Sequence, residues 1–152
     1  MSNKILFAVG LLFTLSVFAE PTTNMVYNWD YEIFPLASGS REKLWQAALA
    51  TNVGGRCEVK IQAGKIDIET ATEVYEVERQ DNWKEGMGQA IAYATETKKK
   101  PVLALISSAQ GPKNMQKRSR ERFDFVHNIC ATNNVRLLVL FPSSPELPHG
   151  SK

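Results

Sequence analysis

Acidic side chains stand inside apolar, strand-like segments in the middle of the chain. Asp67 is flanked by two isoleucines, and Glu76 is flanked by a tyrosine and a valine. Strands disfavour Asp and Glu, and a carboxylate removed from water is costly unless something pairs with it. A bound cation is such a partner, and Mg²⁺ takes carboxylate oxygens while keeping several waters. The pattern therefore predicts a site for Mg²⁺ or Mn²⁺ with Asp67 and Glu76 as ligands.

The spacing of nearby residues brings further groups to the same place. Residues two apart on a strand share a face, so Glu76 and Glu78 project together, and Asp67 on the neighbouring strand can complete a carboxylate cluster. On the following helix, Gln89 and Tyr93 are four residues apart and share one face, where they could hold a phosphate. A metal ion at this cluster could polarise a phosphate and lower the pKa of a bound water. These residues therefore predict metal-assisted hydrolysis.

The elements that position these residues follow from the apolar patterning. Residues 20–40 are predicted to be an irregular lead-in, because they contain prolines and many small polar residues. In chain order the predicted elements are a helix from residue 41, strands over 57–62, 65–69 and 72–79, a helix to about residue 97, a strand over 101–107, a helix over 114–132 and a strand over 135–141. The hairpin requires antiparallel pairing, and the later helix-connected strands require parallel pairing. The order α-β-β-β-α-β-α-β thus predicts an α/β fold with a mixed sheet flanked by helices.

This order, with these acids, resembles the PD-(D/E)xK nuclease superfamily, which has the restriction-endonuclease-like fold, over residues 41–141. Asp67 matches the Asp of that motif, and Glu76-Val77-Glu78 matches its (D/E)-x-K part, with Glu78 in place of the Lys. Gln89 and Tyr93 look like the Q-x-x-x-Y element of the RecB-like branch. The site residues that the resemblance implies are Asp67, Glu76 and Glu58 for the metal, and Asp67, Glu76, Glu78, Gln89 and Tyr93 for catalysis.

The residue at position 78 leaves the activity open. In the superfamily the motif Lys helps to position the attacking water and to stabilise negative charge, and Glu78 cannot do the latter. One hypothesis is an exported, metal-dependent nuclease that hydrolyses phosphodiester bonds in DNA. A second is a catalytically inactive protein of the same fold that binds nucleic acid or a protein in the periplasm. A third is an envelope protein of unrelated function on that scaffold.

A basic cluster opens the third predicted helix. Its members are Lys113, Lys117, Arg118, Arg120 and Arg122. Phosphate backbones attract such clusters with little sequence preference, so they are candidate nucleic-acid contacts and DNA is a candidate partner. For a charge run alone, a solvated helix surface is the better explanation of the pattern. The net charge of the whole chain, +2, does not by itself indicate an acidic partner.

The two ends of the chain and the two cysteines bear on its location. Residues 1–19 have a lysine, an apolar stretch and small residues before position 20, as in a secretory signal peptide. This predicts a periplasmic or secreted protein with no stable membrane span after cleavage, and residues 142–152 are predicted to be a disordered tail. In an oxidising compartment Cys57 and Cys130 could form a disulfide. Alternatively, both are buried, unbonded small hydrophobes.

Overall fold

The computed structural model describes residues 27–143, which form a six-stranded sheet with helices on both faces. The strands are β1 (Asp30–Phe34), β2 (Arg56–Ile61), β3 (Gly64–Glu69), β4 (Glu73–Arg79), β5 (Lys100–Ile106) and β6 (Arg136–Pro142). The helices are α1 (Glu42–Val53), α2 (Trp83–Thr97) and α3 (Lys117–Thr132). Within this range no helix is long and apolar enough to cross a membrane. The predicted signal peptide and all but the start of the predicted tail lie outside the described residues.

The strand order across the sheet is β1-β6-β5-β4-β3-β2. Strands β2, β3 and β4 pair antiparallel, and β4, β5, β6 and β1 pair parallel. A mixed sheet flanked by helices confirms the predicted α/β class. The predicted element order is present from α1 to β6.

The lead-in predicted to be irregular over residues 20–40 contains a strand, and on this point the prediction was wrong. Asp30–Phe34 form β1, which pairs in parallel with β6 at the edge of the sheet. Four of its five residues are exposed, so the segment lacks the continuous apolar run that marks a buried strand. Its pairing depends on β6, more than 100 residues away, which local sequence does not reveal. Similarly, Pro142, predicted to begin the tail, is the last residue of β6.

The two faces of the sheet carry separate cores. Helix α1 covers one face, where Trp45 and Leu49 pack against Tyr75 and Val77 of β4. Helices α2 and α3 cover the other face, where Phe123 and other side chains pack against β5 and β6. Since residues alternate along β4, Glu76 and Glu78 are directed away from α1, toward the face that α2 covers.

The regular alternation of the sheet is broken at Asp67. Ile68 packs in the core under α1, whereas Ile66, two residues earlier, packs in a small cluster under α2. In a regular strand these two residues would share a face. Across from Asp67 on β2, Glu58 has a φ of 56°, which is uncommon for a residue other than glycine. The pairing of β3 with β4 also stops at Ile68 and Tyr75, so the two strands separate where Asp67 and Glu76 would come opposite each other.

The two cysteines are free, so the disulfide considered above does not form. Cys57 is exposed on β2, and its Sγ lies 3.8 Å from the backbone oxygen of Gln46 in α1. Cys130 is buried in the core under α2 and α3. The sheet therefore lies between the two thiols, and a disulfide needs the two Cα atoms within about 7 Å of each other.

Candidate active site

The carboxylates of Asp67 and Glu76 fill the gap between β3 and β4. Oε1 of Glu76 accepts a hydrogen bond from the backbone N–H of Asp67 at 3.3 Å. Oδ2 of Asp67 accepts one from the backbone N–H of Val77 at 2.9 Å. Side-chain oxygens thus replace the backbone carbonyls that would continue the ladder. Glu76 is only 3% exposed and Asp67 is half-buried, so the structure brings the two predicted ligands together in a largely dry place.

The surroundings of these two acids disfavour their charged forms. Burial, followed by the negative charge of Asp67, raises the pKa of Glu76 from 4.5 to about 8. Burial also raises the pKa of Asp67, although the N–H of Val77 and the charge of Lys65 act in the opposite direction. Acids that repel each other in a low-dielectric site bind either a proton or a cation. The pair is therefore suited to holding a cation.

Glu78 lies at the carboxyl end of β4, against the first turns of α2. A Cβ added at Gly86 would lie 2.7 Å from Cγ of Glu78, so the glycine allows the helix to come this close. The amide of Asn82 donates a hydrogen bond to Oε2 of Glu78 at 3.3 Å. Burial raises the pKa of Glu78, and the charges of Glu85 and Asp67 raise it further. Glu78 therefore adds negative charge beside the Asp67–Glu76 pair, at the position where the resembled motif has a lysine.

Helix α1 contributes two residues that the sequence did not single out. Glu42, in its first turn, has a pKa raised by burial and then by the charges of Glu78 and Asp67. Gln46, one turn later, is buried, and its side-chain amide favours the charged form of Asp67 and so lowers the pKa of that carboxyl. A glutamate in the first turn of a helix is usually explained by the helix dipole. The spacing of four residues between Glu42 and Gln46 was the signal available, but it gains meaning only once α1 is placed on the sheet.

Glu58, predicted as a third metal ligand, lies across from Asp67 but is bound elsewhere. Its Oε1 is 2.9 Å from Nζ of Lys65 and 3.2 Å from Nζ of Lys43. These hydrogen bonds, that of Lys65 first, lower the pKa of Glu58. To bind a metal, its exposed carboxylate would have to leave both lysines. Its role as a ligand remains a prediction.

Gln89 and Tyr93 occupy the face of α2 that lies against the sheet. Tyr93 is buried with Ile66, and its hydroxyl reaches the β2–β3 turn, where a Cβ at Gly64 would be only 2.6 Å from that oxygen. Gln89 is half-buried. It lies three residues after Gly86 and four before Tyr93, and so on their face of the helix. Tyr93 therefore supports the hairpin, while Gln89 lies at the level of the acids. The catalytic roles of Gln89 and Tyr93 remain predictions.

The basic cluster is partly engaged within the molecule. Arg122 forms an ion pair with Asp81 at 2.7 Å, and the Arg120 guanidinium lies 5.6 Å from the ring centroid of Tyr27. Lys117 is 3.8 Å from the carboxylate of Glu121, and all of these contacts except that of Arg120 are exposed. Lys113, in a short 3-10 turn, and Arg118 are exposed. Three cations of the cluster, Lys113, Lys117 and Arg118, are thus exposed. The other two, Arg120 and Arg122, contact other parts of the domain.

No group of three or more His, Cys, Asp or Glu side chains within residues 27–143 is arranged to hold a metal ion. The pair of Asp67 and Glu76 nevertheless provides two carboxylates. Magnesium is commonly bound by one or two carboxylates, with waters and substrate phosphate oxygens completing its shell. Such a site fits the residues present and would bind the metal loosely.

Two curated proteins of Acanthamoeba polyphaga mimivirus are similar to part of the chain. The putative KilA-N domain-containing protein L32 is 33% identical over 76 residues, which are 50% of this chain and 20% of that protein. The putative KilA-N domain-containing protein R878 is 31% identical over 83 residues, which are 55% of this chain and 23% of that protein. The chain thus spans about a fifth of the length of these relatives. No protein-family profile and no solved structure matches the chain.

Proposed function

We propose that the chain is a divalent-metal-dependent nuclease that hydrolyses phosphodiester bonds in DNA. One observation carries the proposal: Asp67 and Glu76 are fixed by backbone N–H groups in the gap between β3 and β4, where burial and mutual repulsion disfavour their charged forms. A divalent cation between them would remove that repulsion. We further propose that residues 1–19 direct export and are removed.

The surrounding residues would complete the reaction. Asp67 and Glu76 would hold the metal, which when bound would supply Lewis-acid polarisation of the phosphate and a water of lowered pKa. Gln46, whose side chain favours the charged form of Asp67, would help to keep that ligand ionised. Lys65, whose charge acts on Asp67, could stabilise negative charge on the phosphate if its ion pair with Glu58 opened. Glu78, at the position of the motif Lys, and Glu42 would keep the site negative enough to attract the cation.

One further observation supports DNA as the partner. The exposed cations Lys113, Lys117 and Arg118 lie at the start of α3 and in the turn before it, and phosphate backbones attract such cations with little sequence preference. The two mimivirus proteins are named for KilA-N domains, and the part they share with this chain is about a fifth of each.

Metal binding is tested by melting the mature protein with and without Mg²⁺ or Mn²⁺. The metal should raise the melting temperature of the wild type, since it binds only the folded state. Asp67→Asn should lose that rise. The matched control is Glu69→Gln, which removes an acid of the same strand from its ion pairs with Lys99 and Arg56 and should keep the rise. An equal metal-induced rise in wild type and Asp67→Asn would show that the metal binds elsewhere.

Cleavage is tested on plasmid, linear and single-stranded DNA, with chelator controls. We expect metal-dependent cleavage by the wild type, none by Glu76→Ala, and equal or greater cleavage by Glu78→Lys, which restores the commoner motif. Absence of cleavage by both wild type and Glu78→Lys would refute hydrolysis.

A catalytically inactive binding protein is the second candidate, and Glu78 favours it. Its carboxylate adds negative charge where charge builds up on a phosphate during hydrolysis. In that case the protein would bind DNA equally with and without chelator, and Glu78→Lys would not cut.

A further inference from the structure

An aromatic pair lies between α2 and α3, and one of its two residues is exposed. Phe125 is 58% exposed, and its ring meets the ring of Trp83 edge-on, with centroids 6.2 Å apart and planes at 88°. Trp83 itself is buried, so it fixes one edge of the Phe125 ring while much of that ring stays open to solvent. A single exposed Phe is ordinary on a protein surface, so its surroundings decide what it means.

Cations lie near this aromatic pair. Nζ of Lys84 lies 5.7 Å from the ring centroid of Trp83. On α3, Arg118 and Arg122 precede Phe125 by seven and three residues and so share its face. Arg122 binds Asp81 and thereby fastens the turn before α2 to α3, while Arg118 is exposed. Glu121 lies on this face too, but it is paired with Lys117. The ring therefore lies beside free positive charge.

The aromatic pair lies at the amino end of α2, which is also the part of α2 nearest Glu78. Trp83 precedes Gly86 by three residues, about one helical turn, and Gly86 lies against Glu78. The ring of Phe125 meets that of Trp83. A nucleic-acid strand that binds at the acids and extends toward the start of α2 would therefore meet the ring.

We propose that Phe125 is a stacking platform for an unpaired base of single-stranded nucleic acid, with Lys84 and Arg118 binding the adjoining phosphates. The proposal rests on the nucleic-acid substrate class proposed above and narrows it to a strand with unpaired bases. In a duplex the base faces are already stacked, so the ring has nothing to bind. One exposed ring is also far smaller than the roughly 800 Å² that each partner contributes to a stable protein interface. Stacking on an aromatic side chain with cations nearby is the usual way to hold a single strand without reading its sequence.

The test is the affinity of the mature protein for labelled oligothymidylate and for a labelled duplex, measured by fluorescence anisotropy with chelator present to prevent cleavage. We expect Phe125→Ala to weaken single-strand binding roughly 5- to 150-fold, the usual effect of losing one stacked base. Phe125→Trp, which keeps a stacking ring, should bind as the wild type does. Duplex binding should stay the same in both Phe125 variants.

The matched control is Leu44→Ala, which removes a side chain of similar exposure, 52%, from α1 on the other face of the sheet. It should leave single-strand binding unchanged. Lys84→Ala and Arg118→Ala should each lower the slope of log affinity against log salt concentration by about 0.7, as expected for one lost phosphate contact to a single strand. Because Phe125 is a surface residue, thermal melts should show Phe125→Ala folded.

Several results would overturn the platform. They are undetectable single-strand binding by the wild type, equal binding by wild type and Phe125→Ala, or a change of oligomeric state in Phe125→Ala, which would assign the ring to a second copy of the chain. The proposed stacking platform and the proposed hydrolysis can be refuted independently of each other. Cleavage by the wild type with no effect of Phe125→Ala on binding would refute the platform alone. Phe125-dependent binding without any cleavage would refute hydrolysis alone.

Discussion

Replacing Glu76 with Gln should stabilise the metal-free protein, and increasingly so as the pH rises. The amide oxygen of Gln can still accept the hydrogen bond from the backbone N–H of Asp67. It cannot ionise, so it escapes the burial and repulsion that raise the pKa of Glu76 from 4.5 to about 8. The substitution therefore isolates the cost of charging Glu76 in the folded state.

The direction follows from proton linkage. Between about pH 4.5 and 8, the folded state keeps the proton on Glu76 while the unfolded state has lost it. The folded state therefore binds more protons, and the free energy of unfolding falls as the pH rises through this window. With 1.36 kcal/mol for each unit between the two pKa values, the wild type loses about 1 kcal/mol by pH 5 and about 4 kcal/mol by pH 8. Glu76→Gln should not show this loss.

The assay is urea unfolding of wild type and variant from pH 5 to 8.5, with chelator present. The free-energy gap between them should widen by about 3 kcal/mol between pH 5 and 8. Glu69→Gln is the control of opposite sign, because ion pairs with Lys99 and Arg56 lower the pKa of that buried acid. It should destabilise the protein by an amount that stays constant over this pH range, and the effect should be lost only as the pH falls below 4.5. A gap between wild type and Glu76→Gln that does not vary with pH would refute the reasoning.

Glu96→Gln should destabilise the protein by about 1 kcal/mol in urea unfolding. The reason is that the Glu96 carboxylate accepts hydrogen bonds from the backbone N–H groups of Gln62 and Ala63 at 2.8 Å each. An equal loss in the exposed Glu85→Gln would contradict a specific role for Glu96. In the folded protein a thiol reagent should modify Cys57 and spare Cys130, whose pKa burial raises to about 11, and both should react in denaturant; equal rates in the folded state would contradict the burial. Protein recovered from cells should lack residues 1–19 by intact mass, and an uncleaved N-terminus would refute the signal peptide.

The parts of the fold that sequence could predict are those set by local pattern. Apolar runs and alternation placed β2 to β6 and all three helices, because each of these patterns lies within a single element. The closeness of Asp67 and Glu76 also followed, since a hairpin register brings adjacent strands into line. Strand β1 was not predicted, because its side chains are largely exposed and its pairing partner is β6, which is distant in sequence.

The candidate site was predicted only where strands supply it. Glu42 and Gln46 come from α1, and no local pattern states how a helix is rotated on a sheet. The ion pairs of Glu58 could not be predicted for the same reason, because one of its lysine partners, Lys43, belongs to α1. The disulfide prediction depended on a distance that sequence does not contain, and the sheet between Cys57 and Cys130 excludes it. Local pattern thus supplied single elements, and packing between elements supplied the rest.

The parallel pairing of β1 with β6 determines where attached segments leave the domain. The carboxyl ends of β4, β5 and β6 lie at one end of the strands, and Glu78 is at that end. A peptide fused after residue 143 therefore leaves the domain at the end where Glu78 lies. At the other terminus of the domain, the Tyr27 hydroxyl donates a hydrogen bond to the backbone oxygen of Pro112 and its ring faces Arg120, so a peptide fused before residue 27 begins beside the loop that follows β5. Affinity tags at either end should therefore be removed before cleavage and binding assays.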